Sequence, residues 1–420
     1  MKLRAAIVVA TAAVLGVPAG HAATLPPGNA AQQWEKIAED TAVGSGAFQG
    51  EAFLYLAYVS AAMDGAVNPG ERNGQSPDAA VAEAAYDVLV HYFPAKEPDL
   101  TALRELALAN VPDGPAKRNG VTFGDLAAAK VLRERADDGL QTPVASTSSF
   151  PTLPFGPGVW RLTPPAYAAP QTPWMATMRP FILLSPDRFL PPPPPLLQSQ
   201  EWVDAFNEVK SLGQNVSATR TPQQTDVALF WAANVNRQWG LLVRGLATSM
   251  NLDVPESARW FAMVNVTLAD AGIAFMNAKY HYLFWRPVTA IDPTSVTNDG
   301  FGLVPGAGDG NPLTQEQVGW RPLLTTPNHP EYPSAHATFT SAIAEVLTRF
   351  LGTSHIDVDV QGTTSLGVTR HFETAEQLRA DVENARVWAG IHYRFSVEAG
   401  TALGRAVADY DLDHAFSGGH

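Results

Sequence analysis

From about residue 32 to 140, apolar residues recur at three- and four-residue spacings, the period of a helix with one buried face. Trp34, Ile37, Ala38 and the run 52–63 set the pattern, and Asp64-Gly65 reads as its first stop. Further helices are predicted over 79–92, ended by Pro94, and over 100–109 and 125–136. Between 142 and 195 the periodicity is lost, and 15 of the chain's 34 prolines fall there, Pro191 to Pro195 in an unbroken row. Proline is excluded from helix and sheet interiors, so this stretch is predicted to be extended. It also carries Phe150, Phe155, Trp160, Tyr167, Trp174, Phe181 and Phe189, more aromatics than a disordered linker holds, which predicts a belt docked on the helices.

Helical periodicity resumes at Trp202. Thr221-Pro222 reads as an N-cap with proline at the first helical position, leading into a helix over 226–246. A long amphipathic run covers 255–284 and is expected to stop at Arg286-Pro287. Residues 298–328 are rich in glycine and proline and read as loop. Ser334 opens a helix to 350 with Gly352 as its stop, and further helices cover 376–390 and 397–407. No convincing strand alternation stands out, so the fold class is all-α and bundle-like, with a long proline-rich extended segment. The expected organisation is 1–23, 24–141 (helical), 142–200 (the belt) and 201–420 (the chemistry).

The first of these is a secretory signal by pattern. Lys2 and Arg4 precede an apolar run over 5–18, closed by Ala19-Gly20-His21-Ala22-Ala23. A mature chain beginning near Ala23, secreted or periplasmic, is the expectation. No later segment reads as a membrane span. The net charge of −13 argues against a nucleic-acid partner and makes any local cluster of cations notable. With no cysteine, disulfides, thiol nucleophiles, iron–sulfur clusters and cysteine-ligated zinc are excluded. Zincin, Gly-x-Ser-x-Gly and phosphate-loop motifs are absent too.

Eight of the ten histidines lie between 281 and 420, where three segments hold the candidate chemistry. Lys279 and Arg286 are seven residues apart, two turns along one helical face. In Pro333-Ser334-Ala335-His336, Ser334 is a candidate N-cap. The amides of Ala335 and His336 then open a helix whose positive end suits an anion. Arg386 and His392 are six apart with Gly390 between them. Each segment alone also reads as ordinary: snorkelling cations, a capped helix, a surface ion pair. Together they supply one lysine, two arginines, a hydroxyl, two amides and two imidazoles, a full shell for a multiply charged oxyanion. Asp270, on the helix of Lys279, reads as a structural cap or ion-pair partner.

Lys279 with Arg286-Pro287, then Pro333 to His336, then Arg386 with His392 resemble the three-part signature of the vanadium-dependent haloperoxidases and type 2 phosphatidic acid phosphatases. The spacings match in the first and third parts, and alanine stands for glycine at 335. The surrounding sequence resembles secreted bacterial haloperoxidase-like members. The resemblance implies a helical bundle that binds vanadate, with His392 as the axial vanadium ligand. Lys279, Arg286, Ser334, the Ala335 amide and Arg386 would hold its oxygens, and His336 would be the acid–base. Lys279 would also polarise bound peroxide, so that hydrogen peroxide and halide yield hypohalous acid. The alternative it implies is an acid phosphatase that acts on a small phosphoester through a phosphohistidine at His392. A binding protein that holds an oxyanion without turnover is a third reading, opposed by the two retained histidines.

Ser396 stands where many members carry aspartate, four residues after the histidine. His329 stands at a position that is histidine in algal bromoperoxidases and aromatic in the fungal chloroperoxidase type, which implies bromide or iodide over chloride. The large helical faces also make a homo-oligomer an expectation.

Overall fold

The computed structural model describes residues 23–67, 74–144, 156–296, 308–365 and 367–416. All but the last residue of the signal peptide read at 1–23 lies outside them, as do Phe150, Phe155 and the loop stretch 298–307.

Five helices come first: α1 (Ala30–Gly44), α2 (Gln49–Ala66), α3 (Pro77–Tyr92), α4 (Glu97–Ala109) and α5 (Pro115–Arg135). After the extended belt follow α6 (Gln200–Leu212), α7 (Pro222–Phe230), α8 (Val235–Ser249) and α9 (Val254–Tyr282). The last elements are a one-turn α10 (Pro287–Ile291), α11 (Ala335–Leu351), α12 (Ala375–Trp388) and α13 (Arg394–Ala415). Asn29, Thr221, Asp253 and Thr374 each close a capping box, so these helices begin where a side chain satisfies their first amides.

Three local expectations are corrected. The helix expected over 226–246 is two helices, because Asn234 caps the start of α8 and the chain turns between Trp231 and Asn234. Between α11 and α12 lies a hairpin, β1 (His355–Gln361) paired antiparallel with β2 (Thr369–Thr374), where no strand was expected. Its alternation is short but regular: Ile356, Val358 and Val360 are buried and their polar neighbours exposed. And α9 is long and apolar enough to cross a membrane, although no such segment was expected there. In this structure it is a core helix, packed by α1, α2, α11 and α13.

One apolar cluster runs from Trp34 of α1 through Phe53 of α2 and Phe275 of α9 to Phe339 of α11 and Leu412 of α13. The N-terminal helices and the signature-bearing helices therefore share a core, in which each fully buried large side chain contributes about 1.5–3 kcal/mol. Helices α11 and α13 meet backbone to backbone at Gly404, where any Cβ would press into the Thr338 carbonyl oxygen.

The belt docks as expected. The Trp160 amide donates to the Leu283 carbonyl at 2.7 Å and that of Gln171 to Asn328 at 2.9 Å. The Tyr332 hydroxyl donates to the Pro192 carbonyl at 2.7 Å. Asp270, buried inside α9, fixes the belt most tightly by accepting the amides of Phe181, Ile182 and Leu183 at 2.6, 2.7 and 2.9 Å. Burial pushes its carboxyl up to about 6 and the three amides hold it down, so at neutral pH it accepts as the carboxylate.

Asp270→Asn replaces one acceptor oxygen by an NH2 group facing N–H donors. We expect it to cost about 2–3 kcal/mol in denaturant unfolding and to open the belt to limited proteolysis. An unchanged midpoint would show that the belt is held elsewhere.

Candidate active site

The last turn of α9 presents Lys279, and the helix then ends abruptly because Leu283 takes a left-handed conformation (φ 49°). Arg286 sits in extended backbone ahead of Pro287 and caps α10. Lys279 and Arg286 therefore do not share a helical face, as their spacing suggested. They converge because the turn at 283–286 folds Arg286 back.

Lys279 is fully buried and donates to three carbonyls of one loop, Pro330 (3.0 Å), Glu331 (2.9 Å) and Pro333 (2.5 Å). Burial, then the Arg286 charge, push its amine well below the ordinary lysine range. Three acceptors require three N–H donors, however, so the geometry is that of the ammonium. Its hydrogen bonds go to the loop that delivers Ser334. Arg286, equally buried, donates from Nε to the His329 carbonyl at 3.0 Å and from one terminal nitrogen to the Ile391 carbonyl at 2.8 Å. That same nitrogen lies 3.3 Å from His392 Nε2, and the other lies 3.0 Å from His329 Nδ1. A guanidinium only donates, which makes His392 Nε2 an acceptor, whereas His329 Nδ1 also lies 3.1 Å from the Pro330 carbonyl, which only accepts.

Ser334 occupies the N-cap of α11 but makes no side-chain cap bond, and its Oγ is buried without a partner. Ala335 begins the helix in ordinary helical backbone, so this position has no need of a glycine at positive φ. His336 lies in the first turn, is partly exposed to the cavity, and makes no hydrogen bond among the described residues. Burial, reinforced by the charges of Arg386, Lys279 and Arg286, holds it well below the usual histidine range.

Arg386, in the last turn of α12, donates to the Trp231 carbonyl at 2.9 Å, an acceptor that the break between α7 and α8 leaves free. Its Nε is buried with no partner. Burial and the Arg286 charge lower Arg386 to about 9, which leaves it charged at neutral pH. Beyond α12 the chain turns at Gly390 (φ 78°), where a side chain would press on the Gly213 carbonyl. That turn carries His392 to the same place as Arg386, although six residues separate them. Burial and the charges of Arg286, Lys279 and Arg386 keep His392 well below the usual range.

His329, Ala335, His336, Arg386 and His392 line one cavity of about 350 Å³. Phe48 and Gln49 at the start of α2 and Gln171 of the belt complete its wall. The Phe48 and His329 rings meet edge to face at 5.8 Å. Arg286 reaches the lining at His329 and His392, Lys279 bonds the loop that joins His329 to Ser334, and Ser334 precedes Ala335. Two buried donors without partners, an open helix N-terminus and three cations suit an oxyanion such as phosphate or vanadate.

Residues 259–417 match the VCPO second helical-bundle domain. That match takes in all three signature segments, from Lys279 to His392. The chain is similar to the vanadium chloroperoxidase of Curvularia inaequalis, 27% identical over 328 residues that cover 64% of this chain. The chain spans about half the length of that relative, 52%. Two solved structures share the fold. One is a bacterial vanadium-dependent iodoperoxidase (TM-score 0.72, 22% identity, 93% of this chain and 98% of that one). The other is a bacterial vanadium-dependent chloroperoxidase (TM-score 0.65, 16% identity, 87% and 91%).

Sequence reasoning missed one residue of the site, Glu331. Its Oε1 lies 2.7 Å from His392 Nδ1 and accepts the Tyr393 amide at 3.1 Å. It is fully buried, and burial pushes it up to about 7 against the opposing pull of Arg286 and Lys279. No local signal marked it, since the segment 328–338 holds no Lys or Arg beside it.

Gly390→Ala introduces a side chain at positive φ and against backbone. We expect a loss of about 1–3 kcal/mol from the strain alone. Weaker phosphate binding should accompany it, because His392 is displaced. Both are measurable by denaturant unfolding and calorimetry, and a variant as stable as the parent would show that this turn does not set the position of His392.

Proposed function

We propose that the protein is a vanadate-dependent haloperoxidase, which uses hydrogen peroxide to oxidise halide to hypohalous acid. The observation that carries this is the pairing of a neutral His392, whose Nε2 is an acceptor, with buried, partnerless donors at Ser334 Oγ and Arg386 Nε. A ligand nitrogen with unpaired hydrogen-bond donors beside it would hold a vanadate ion. The haloperoxidase names of the relatives favour this reading over the phosphatase.

Bound vanadate would supply a Lewis-acidic centre on which peroxide becomes electrophilic towards halide. The protein's own residues do the rest. His392 Nε2 offers the ligand lone pair. Arg386, Arg286, Ser334 and the Ala335 amide hold oxygen atoms, and Lys279 adds charge while fixing the loop that ends in Ser334. His336, neutral and open to the cavity, takes the proton that peroxide must lose. Phe48 and Phe339 in the wall keep the site poor in water. We assign halide preference to His329. Burial, with the charges of Lys279 and Arg286, holds this ring well below the usual histidine range. Bromide and iodide are the expected substrates ahead of chloride.

The test is to titrate the metal-free protein with orthovanadate while following bromination of a dye by hydrogen peroxide and bromide. Activity that rises with vanadate and is competed away by phosphate is the expected result. Vanadate-inhibited hydrolysis of a phosphomonoester without bromination would assign the phosphatase instead.

Two substitutions check the roles. His392→Ala should abolish activity, whereas Ser334→Ala should weaken vanadate binding by one charge-assisted hydrogen bond, about 1.5–3 kcal/mol. Equal losses in both would show the roles misassigned. His329→Phe should raise the chloride-to-bromide rate ratio, and an unchanged ratio would remove His329 from halide selection.

A further inference from the structure

We propose that Glu331 is the positioning residue of this site: its Oε1 holds the proton on Nδ1 of His392 and so turns the lone pair of Nε2 towards the anion. The inference rests on the reading that His392 faces a bound oxyanion.

The geometry fixes the tautomer from both sides of the ring. On one side, Oε1 sits 2.7 Å from Nδ1 while also accepting the Tyr393 amide, so it acts as an acceptor and Nδ1 as the donor. On the other, a terminal nitrogen of Arg286, which can only donate, lies 3.3 Å from Nε2. Both contacts require the same assignment. Glu331 is itself immobilised: its amide donates to the Phe284 carbonyl at 2.9 Å and its carbonyl accepts from Lys279 at 2.9 Å. The carboxylate is therefore held at both ends of its own residue before it meets the imidazole.

The chain needs such a group because the nearest alternative is inadequate. Ser396, one turn beyond His392, places its Oγ 3.5 Å from Nδ1, too far for a strong bond, and a hydroxyl lacks the charge of a carboxylate. Glu331 reaches the same nitrogen from a different segment, 61 residues earlier in the chain. The segment that supplies Ser334 and His336 thus also orients the histidine of the third segment. A ligand histidine whose remote nitrogen bonds to a carboxylate is fixed in orientation and more basic at the ligating nitrogen.

The test begins with imidazole nitrogen NMR on the full chain labelled at histidine, assigning His392 by the signal lost in His392→Gln. The expected result is an Nδ1–H tautomer in the ligand-free protein, and an Nε2–H tautomer would overturn the proposal. Orthovanadate binding is then measured by calorimetry. Glu331→Gln should weaken it about 10- to 100-fold, the usual effect of removing such a partner. Adding Ser396→Asp, which brings a carboxylate to the same nitrogen, should bring the affinity back to within about threefold of the parent. A merely structural role for Glu331 would give no such rescue, and a Glu331→Gln protein within about twofold of the parent would also overturn the proposal. Should the parent bind no vanadate, the haloperoxidase reading falls alone, since the tautomer still decides the role of Glu331.

Discussion

Three cations, Lys279, Arg286 and Arg386, are buried around one carboxylate, Glu331, and the local structure is organised by what that burial demands. Moving an ion out of water costs several kcal/mol even after the surroundings relax. Lys279 is compensated by three carbonyls and Arg286 by two. Those carbonyls belong to the loop before Ser334 and the turn before His392. The cations therefore shape the segments that carry the reactive groups. Arg386 has one carbonyl and a bare Nε. Arg386 has no carboxylate partner among the described residues, so the cluster keeps uncompensated positive charge. A multiply charged oxyanion supplies the missing charge and acceptors.

The rest of the fold keeps this cluster dry and fixed. Helix α9 is apolar enough to serve as the centre of the shared core, and it delivers Lys279 at its end. Gly404 lets α13 press against α11 at Thr338, and Gly400 lets it press on the Ser334 carbonyl. The belt is pinned by Asp270 and contributes Gln171 to the wall, while α2 contributes Phe48 and Gln49. The cavity thus takes residues from the N-terminal helices, the belt and the signature segments, and its shape depends on packing across the whole chain.

Much of this was legible in the sequence because motif spacing and capping are local. Ser334 after Pro333, the pair Arg286-Pro287 and the six-residue step from Arg386 to His392 all mark positions that the structure brings together, with Arg386 and His392 in the cavity wall and Arg286 in contact with His392. The helical class and the docked belt were legible from periodicity and from aromatics among the prolines. What escaped depends on tertiary context. The left-handed turn at Leu283 cannot be read from an apolar residue, so Lys279 and Arg286 were placed on one helix. The hairpin was passed over because three buried residues in alternation are a weak signal beside long helices. The partnership of Glu331 with His392 joins two distant segments, and a glutamate beside tyrosine and proline gives no local hint of it. The positive φ at Gly390, by contrast, gives a physical reason for the glycine noted between Arg386 and His392.

The central claim is that His392 presents Nε2 to the anion while Glu331 holds Nδ1. A crystal structure of the full chain soaked with orthovanadate tests it most directly. The account predicts vanadium bonded to His392 Nε2, with Ser334 Oγ and Arg386 Nε donating to its oxygens and Nδ1 still on Glu331. Vanadium bonded to Nδ1, or an ion seated away from His392, would contradict it.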